Sequence, residues 1–147
     1  VGKARSLGKQ VNWVIADAQH LPFPNASIDC IISGYLLRNV TSVHQTLEEQ
    51  FRVLLSGGRI ASLDTTPQRD KILQSLVGFY LHRIIPIIGR IFTGDVDAYT
   101  YLPESTAQFL SAEKLAEQYI KTGFTVVKFV RRMFGVMAIH WGAKGRS

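Results

Sequence analysis

The sequence predicts an α/β fold, a mostly parallel sheet carrying helices and closed by an antiparallel hairpin near its carboxyl end. Three observations support this. Short apolar runs without alternation recur in the first half, at residues 11–16, 28–33 and 59–63, the pattern of strands buried on both faces. A helical stripe of Val43, Leu47, Phe51 and Leu54 separates the second run from the third, as a crossover connection requires. Two final apolar runs, 124–130 and 136–141, are joined only by residues 131–135. So short a joint makes them an antiparallel pair.

Each element has its own local reason. The first run, VNWVIA, ends at Asp17, and the second, IDCIIS, ends before Gly34. The helix over residues 42–55 starts at Thr41 or Ser42, whose hydroxyls suit a free first-turn amide. Ser56-Gly57-Gly58 is expected to close it, because glycine tolerates the left-handed turn. RIASL, residues 59–63, is the third strand. Residues 70–92 carry an apolar helical stripe from Leu73 to Ile85, which Pro86 and Gly89 should kink or break. Residues 111–122 read as an amphipathic helix capped by Ser111, with Lys114 where a capping box has Glu, and stopped by Gly123. The whole chain, 1–147, reads as a single domain without repeats or low-complexity stretches.

Composition narrows the function classes. An apolar fraction of 46% in 147 residues excludes a disordered chain. The single cysteine, Cys30, excludes an internal disulfide framework and a cysteine zinc site, and fits a reducing compartment. It is expected to be buried in the second strand. No uncharged apolar run reaches the roughly 18 residues of a spanning helix. The net charge is +6, of which residues 67–147 carry +5. That imbalance points to an anionic partner, phosphate-bearing or a lipid surface, or to a well-solvated face. No run of basic residues interleaved with aromatics speaks for nucleic acid. The chain begins at Val1 rather than methionine, so it is expected to be most of a larger domain, with any targeting segment upstream.

In an open α/β sheet, ligands bind beyond the carboxyl ends of the strands. The residues there are Asp17-Ala18 after the first run, Gly34, Tyr35, Arg38 and Asn39 after the second, and Asp64, Thr65 and Thr66 after the third. An acid in such a place can accept from a nucleoside amine or hydroxyl, or can cap a turn.

The segments DAQHLPFPNASIDCIIS, LLRNV and RVLLSGGRIASLD resemble the ubiquinone/menaquinone biosynthesis C-methyltransferases, which are class I enzymes dependent on S-adenosylmethionine. The resemblance continues through Ile85-Pro86, Gly89 and Gly94-Asp95, and through Tyr99-Thr100-Tyr101-Leu102 with Glu104-Ser105. It implies a Rossmann-like sheet lacking the first two strands, and methylation of a demethylated prenyl-quinol, demethylmenaquinol or a ubiquinol precursor. By the same resemblance, Asp17 and Ala18 lie beside the adenine ring. Gly34 lines the cofactor pocket, where the family often has serine. Arg38 and Asn39 face the cofactor and the quinol, and Tyr99, Tyr101 and Ser105 form the lid or wall over the acceptor. Leu36 stands in place of the usual glycine, Leu55 of a Lys or Arg, and Asp64 of a glutamate.

The family's glycine-rich loop does not occur in the sequence, and residues 1–10 resemble the tail of the helix after it. Two missing strands would lie between runs 11–16 and 28–33, leaving a gap in the sheet. The chain alone is therefore expected to bind S-adenosylmethionine poorly and to be inactive. Carbon methylation needs a phenol of pKa about 10 to lose its proton, and a nearby guanidinium can lower that value by roughly 1–3 units. Arg38 would serve so, by electrostatic stabilisation. The base is His82, His140 or a water, each histidine having a structural alternative. Residues 72–92, with Arg83 and Arg90, would reach a prenyl tail at a membrane surface or form a buried helix. The expected location is cytoplasmic, peripheral at the inner membrane face. The competing readings are a non-catalytic basic module binding membranes or proteins, and another nucleotide-using enzyme whose Gly-x-Gly-x-x-Gly motif would lie upstream.

Overall fold

A computed structural model describes residues 11–67 and 109–146. In chain order they form β1 (Ile28–Gly34), a short 3-10 turn (Leu37–Asn39), α1 (Val43–Val53), β2 (Leu54–Thr65), α2 (Ala112–Thr122), β3 (Phe124–Arg132), the turn Met133–Gly135 and β4 (Met137–Lys144). The four strands make one sheet in the order β1-β2-β4-β3. β1 and β2 are parallel, while β4 runs antiparallel to both β2 and β3. The expected α/β sheet with a closing hairpin is thus present.

The helices begin where the side chains dictate. Ser42 accepts from the Gln45 amide at 3.2 Å and Ser111 from the Lys114 amide at 3.3 Å, each relieving one free first-turn donor. Gly123, with φ +105°, ends α2. α1 ends differently from expectation. Leu54 turns straight into extended backbone, and the carbonyls of Phe51 and Leu54 receive the Lys144 ammonium at 2.7 and 2.8 Å. Cations are favoured at a helix carboxyl end. Ser56-Gly57-Gly58 is instead a bulge within β2, since Ile28 pairs with Leu54 but Cys30 pairs with Arg59. A Cβ on Gly58 would lie 2.8 Å from the Leu55 carbonyl oxygen and 3.1 Å from that of Asp29. Only glycine fits so close to backbone.

The core lies on one side of the sheet. Leu47 of α1, Leu115 and Tyr119 of α2, Leu54 and Ile60 of β2, Phe124 of β3 and Leu37 pack together. Tyr119 gives the core a polar strut, its hydroxyl donating to Ser62 Oγ at 2.7 Å. Burial pushes its phenol pKa up to about 12.

Two sequence expectations fail here, for related reasons. Residues 11–16 form no strand and are exposed. A strand exists through its ladder, and among the described residues nothing pairs with this segment. β1 is not covered on both faces either. Ile32 is 82% exposed and Cys30 is exposed, not buried, because among the described residues both helices pack on the opposite face. The burial expected on both faces of this strand is therefore one-sided among the described residues. The apolar segment 70–92 lies outside the described residues.

His140 of β4 is buried between the rings of Phe129 and Tyr119. Its Nε2 lies 2.8 Å from the Ala112 carbonyl oxygen, so Nε2 carries the proton, and Nδ1 is buried without a hydrogen-bond partner. Protonation would bury a charge and an unanswered N–H, and burial accordingly holds the pKa below its ordinary 6.5. This is the core histidine of the two alternatives, away from any strand end. Below pH about 6.5 the unfolded chain binds more protons than the fold, so stability falls as pH falls, by at most about 1.4 kcal/mol per unit. Urea titrations at pH 7.5, 6.5 and 5.5 should show this decline, and His140→Gln should flatten it.

Candidate active site

The carboxyl ends of β1 and β2 meet in a polar cluster. The Tyr35 amide donates to the Leu63 carbonyl at 2.8 Å. Tyr35 then takes φ +55°, which swings the chain off the sheet. Asn39 secures that turn, its Nδ2 donating to the Tyr35 carbonyl at 2.6 Å, while Leu37 is buried in the core. Between these two anchors, Arg38 is laid back over the strand ends. Its guanidinium carbon sits 5.0 Å from the centre of the Tyr35 ring, within cation–π range. The Tyr35 hydroxyl in turn donates to Met137 Sδ at 3.7 Å, which ties β4 to the cluster.

Asp64, at the end of β2, is the anion of the site. Its carboxylate accepts from the Arg38 amide at 3.2 Å and the Thr65 amide at 3.0 Å, and Oδ1 stands 3.7 Å from Arg38 Nε. The two side chains are 2% and 11% exposed. Burial raises the Asp64 pKa above its ordinary 3.8, against the pull of the two amides and of Arg38. Arg38 is charge-paired but poorly bonded, because Nε and Nη1 are buried without a hydrogen-bond partner. Buried donors are almost always satisfied, so these two suit an oxygen acceptor brought by a ligand. Beside them, a Cβ built on Gly34 would meet no atom of the described residues within 4 Å.

Asp17 and Ala18 occupy a separate turn, closed by the His20 amide donating to the Asp17 carbonyl at 3.0 Å. The Asp17 carboxylate accepts from the Gln19 amide at 2.9 Å and lies 3.5 Å from His20 Nδ1. The amide bond and His20 hold its pKa below the ordinary value, so it stays an acceptor. The loop after it is fastened to α1. Arg52 donates to the carbonyls of Leu21 and Phe23 and to Asn25 Oδ1 at 3.2, 3.0 and 2.6 Å, and pairs with Glu49 at 2.7 Å.

The structure thus brings together Gly34, Arg38 and Asn39, and keeps Asp17 and Ala18 in their own turn. Tyr99, Tyr101, Ser105 and His82 lie outside the described residues. Tyr35 and Asp64 join the cluster without having been given a role by the resemblance. Their position just past a strand end was the signal for both. Met137 carried no such signal, because only the register of β4 against β2 places it opposite Thr65.

Comparison with known proteins places the chain in a family. A methyltransferase from Desulfotalea psychrophila, named for ubiquinone/menaquinone biosynthesis C-methylation, is 42% identical over 142 residues, 97% of this chain and 58% of that protein. A mitochondrial 2-methoxy-6-polyprenyl-1,4-benzoquinol methylase from Bos taurus is 36% identical over 97% of this chain and 44% of its own length. The chain therefore spans only about half of these relatives. Among solved structures, an S-adenosylmethionine-dependent methyltransferase from Aquifex aeolicus superposes with a TM-score of 0.62 at 16% identity, over 97% of this chain and 60% of that one. At that identity the likeness shows the fold alone, which is the class I methyltransferase fold. The profile of the ubiE/COQ5 methyltransferase family matches residues 2–144, and the chain belongs to that family.

Proposed function

We propose that the chain is a single domain carrying the acceptor side of a C-methyltransferase that acts on a prenylated quinol in quinone biosynthesis, peripheral at the cytoplasmic membrane face. The observation that carries this reading is Arg38, buried at the carboxyl end of β1 with Nε and Nη1 unanswered. The names of the relatives supply the quinol class. The cofactor that the family and fold imply is S-adenosylmethionine, which when bound supplies an activated methyl group.

The residues present fit that group at its adenine end. Asp17, held ionised and exposed, would accept from the exocyclic amine, with Ala18 beside it, and the open space over Gly34 leaves room for the cofactor's body. Arg38 would donate from Nε and Nη1 to the quinol oxygen and stabilise it as phenolate. Asn39 acts by holding the Tyr35 turn that delivers Arg38. Tyr99, Tyr101 and Ser105 would wall the acceptor. With His140 in the core, the phenolic proton passes to water.

The test joins this chain to the part of the Desulfotalea psychrophila relative that it does not match. This fusion should transfer labelled methyl from S-adenosylmethionine to demethylmenaquinol or a demethylated ubiquinol precursor. The 147-residue chain alone should bind the cofactor more weakly than micromolar. A folded fusion that labels no quinol would support the non-catalytic module instead, and micromolar calorimetric binding by the chain alone would defeat the expectation of weak binding.

A further inference from the structure

Arg52, in the last turn of α1, is held quite differently from Arg38. Each of its five guanidinium N–H groups has an acceptor. Nε and Nη2 donate to the two Glu49 carboxylate oxygens at 2.8 and 2.7 Å. Nη1 donates to the Phe23 carbonyl at 3.0 Å and to Asn25 Oδ1 at 2.6 Å, and Nη2 also donates to the Leu21 carbonyl at 3.2 Å. Arg38 keeps two buried nitrogens that a ligand could answer, whereas Arg52 has no donor left to offer one. Its side chain and that of Glu49 are 35% and 14% exposed. The bonds from Arg52 hold the Glu49 pKa below its ordinary 4.5, so the pair stays ionised.

The loop held in this way has few means of its own to stay in place. Pro22 and Pro24 carry no backbone N–H, and a residue before proline is disfavoured in helical backbone. The carbonyls of Leu21 and Phe23 therefore turn to an outside donor, and both find Arg52. Leu21 is fastened twice, since its amide also donates to Glu49 Oε1 at 2.7 Å. The far end of the loop is tied by main chain instead. The Ala26 amide donates to the Arg52 carbonyl at 3.0 Å, and the Ser27 amide to the Val53 carbonyl at 2.8 Å. Leu21 directly follows the turn that Asp17 and His20 close. On the other side of that turn, residues 11–16 are exposed and join no ladder among the described residues. Within the described chain, the Asp17 carboxylate is placed from the Leu21 side.

We propose that Arg52, braced by Glu49, is a positioning residue for the cofactor. By fixing Leu21, Phe23 and Asn25 it sets where the Asp17 carboxylate stands to meet the adenine amine. This rests on the reading of Asp17 as the acceptor for that amine. Arg52 spends all its donors within the chain, so its loss weakens cofactor binding and leaves the methyl-transfer step alone. The main-chain bonds of Ala26 and Ser27 persist in any side-chain variant, which keeps β1 and Arg38 where they are.

The test is calorimetric titration of S-adenosylmethionine into the same fusion, as parent, Arg52→Met, Arg52→Lys and Lys144→Met. Arg52→Met should weaken binding by about tenfold, the scale of one charge-assisted hydrogen bond lost through misplacement. Its KM for the cofactor should rise equally, while kcat and the KM for the quinol stay at parent values. Arg52→Lys should remain nearer to Arg52→Met, because an ammonium lacks the planar fork that spans these acceptors. Lys144→Met removes the other cation bonded at this end of α1, so it should lower the thermal midpoint and leave cofactor binding unchanged. In the 147-residue chain, Arg52→Met should speed amide exchange of Gln19 and Leu21 about tenfold more than that of Tyr119. Parent-like binding by Arg52→Met or Arg52→Lys, an equal loss from Lys144→Met, or uniform exchange would overturn the proposal while the reading of the site stands. A folded parent fusion that binds no S-adenosylmethionine would defeat that reading, and the proposal with it.

Discussion

Asp64→Ala should lower the unfolding free energy by about 3 kcal/mol, the low end of what is lost when one partner is removed from a buried ion pair. The reason lies in what remains. Arg38 already has two buried nitrogens without acceptors, and the substitution takes away the Asp64 carboxylate, which faces it at 3.7 Å. The amides of Arg38 and Thr65 lose their acceptor as well. Replacing both partners should be far milder, since apolar residues in place of a buried pair are often neutral. Arg38→Met with Asp64→Ala should therefore recover most of the loss. The coupling, measured by urea unfolding of the four proteins, should reach about 2 kcal/mol, and simple additivity would defeat the account. The pH dependence has a definite sign. Because burial raises the Asp64 pKa, the fold binds its proton more tightly than the unfolded chain does. This group's contribution thus falls as pH rises above the ordinary 3.8, and the trend should vanish in Asp64→Ala.

How much of this was legible in the sequence depended on how local the cause was. Caps are local, and Ser42, Ser111 and Gly123 act as their positions indicated. The hairpin pairing followed from a five-residue joint, and β1 and β2 from their apolar runs. Properties belonging to a neighbour failed. Residues 11–16 have the composition of a strand, but a ladder needs a partner strand. Cys30 and Ile32 have the composition of a buried strand, but exposure is set by what packs on the face. Gly57-Gly58 reads in the sequence as a helix stop, because a double glycine signals a turn. That it is a bulge depends on the register with β1. The site divides in the same way. Strand ends pointed to Arg38, Tyr35 and Asp64, whereas the orphaned nitrogens of Arg38 and the contact of Tyr35 with Met137 arise only once three strands are aligned.

The same orphaned nitrogens set the largest kinetic effect expected. In the active fusion, Arg38→Gln should lower kcat for methyl transfer by about 100- to 1,000-fold, the effect of removing one preorganised donor from a developing oxyanion. Glutamine is neutral, so it cannot lower the pKa of a bound phenol as a guanidinium does. Arg38→Lys should remain strongly impaired. Lysine keeps the charge, but it replaces a planar fork by a single flexible ammonium, and the geometry of Nε and Nη1 is lost. The stacking over Tyr35 would be lost with it. A purely structural arginine predicts another pattern, in which stability falls in step with activity and raising the pH changes nothing. If Arg38 stabilises phenolate, raising the pH should partly restore Arg38→Gln, because hydroxide then removes the proton that the guanidinium no longer helps to release. The deciding measurement is the ratio of parent to variant kcat between pH 7 and 9. A ratio that narrows with pH supports phenolate stabilisation, and a constant one assigns Arg38 to holding the fold.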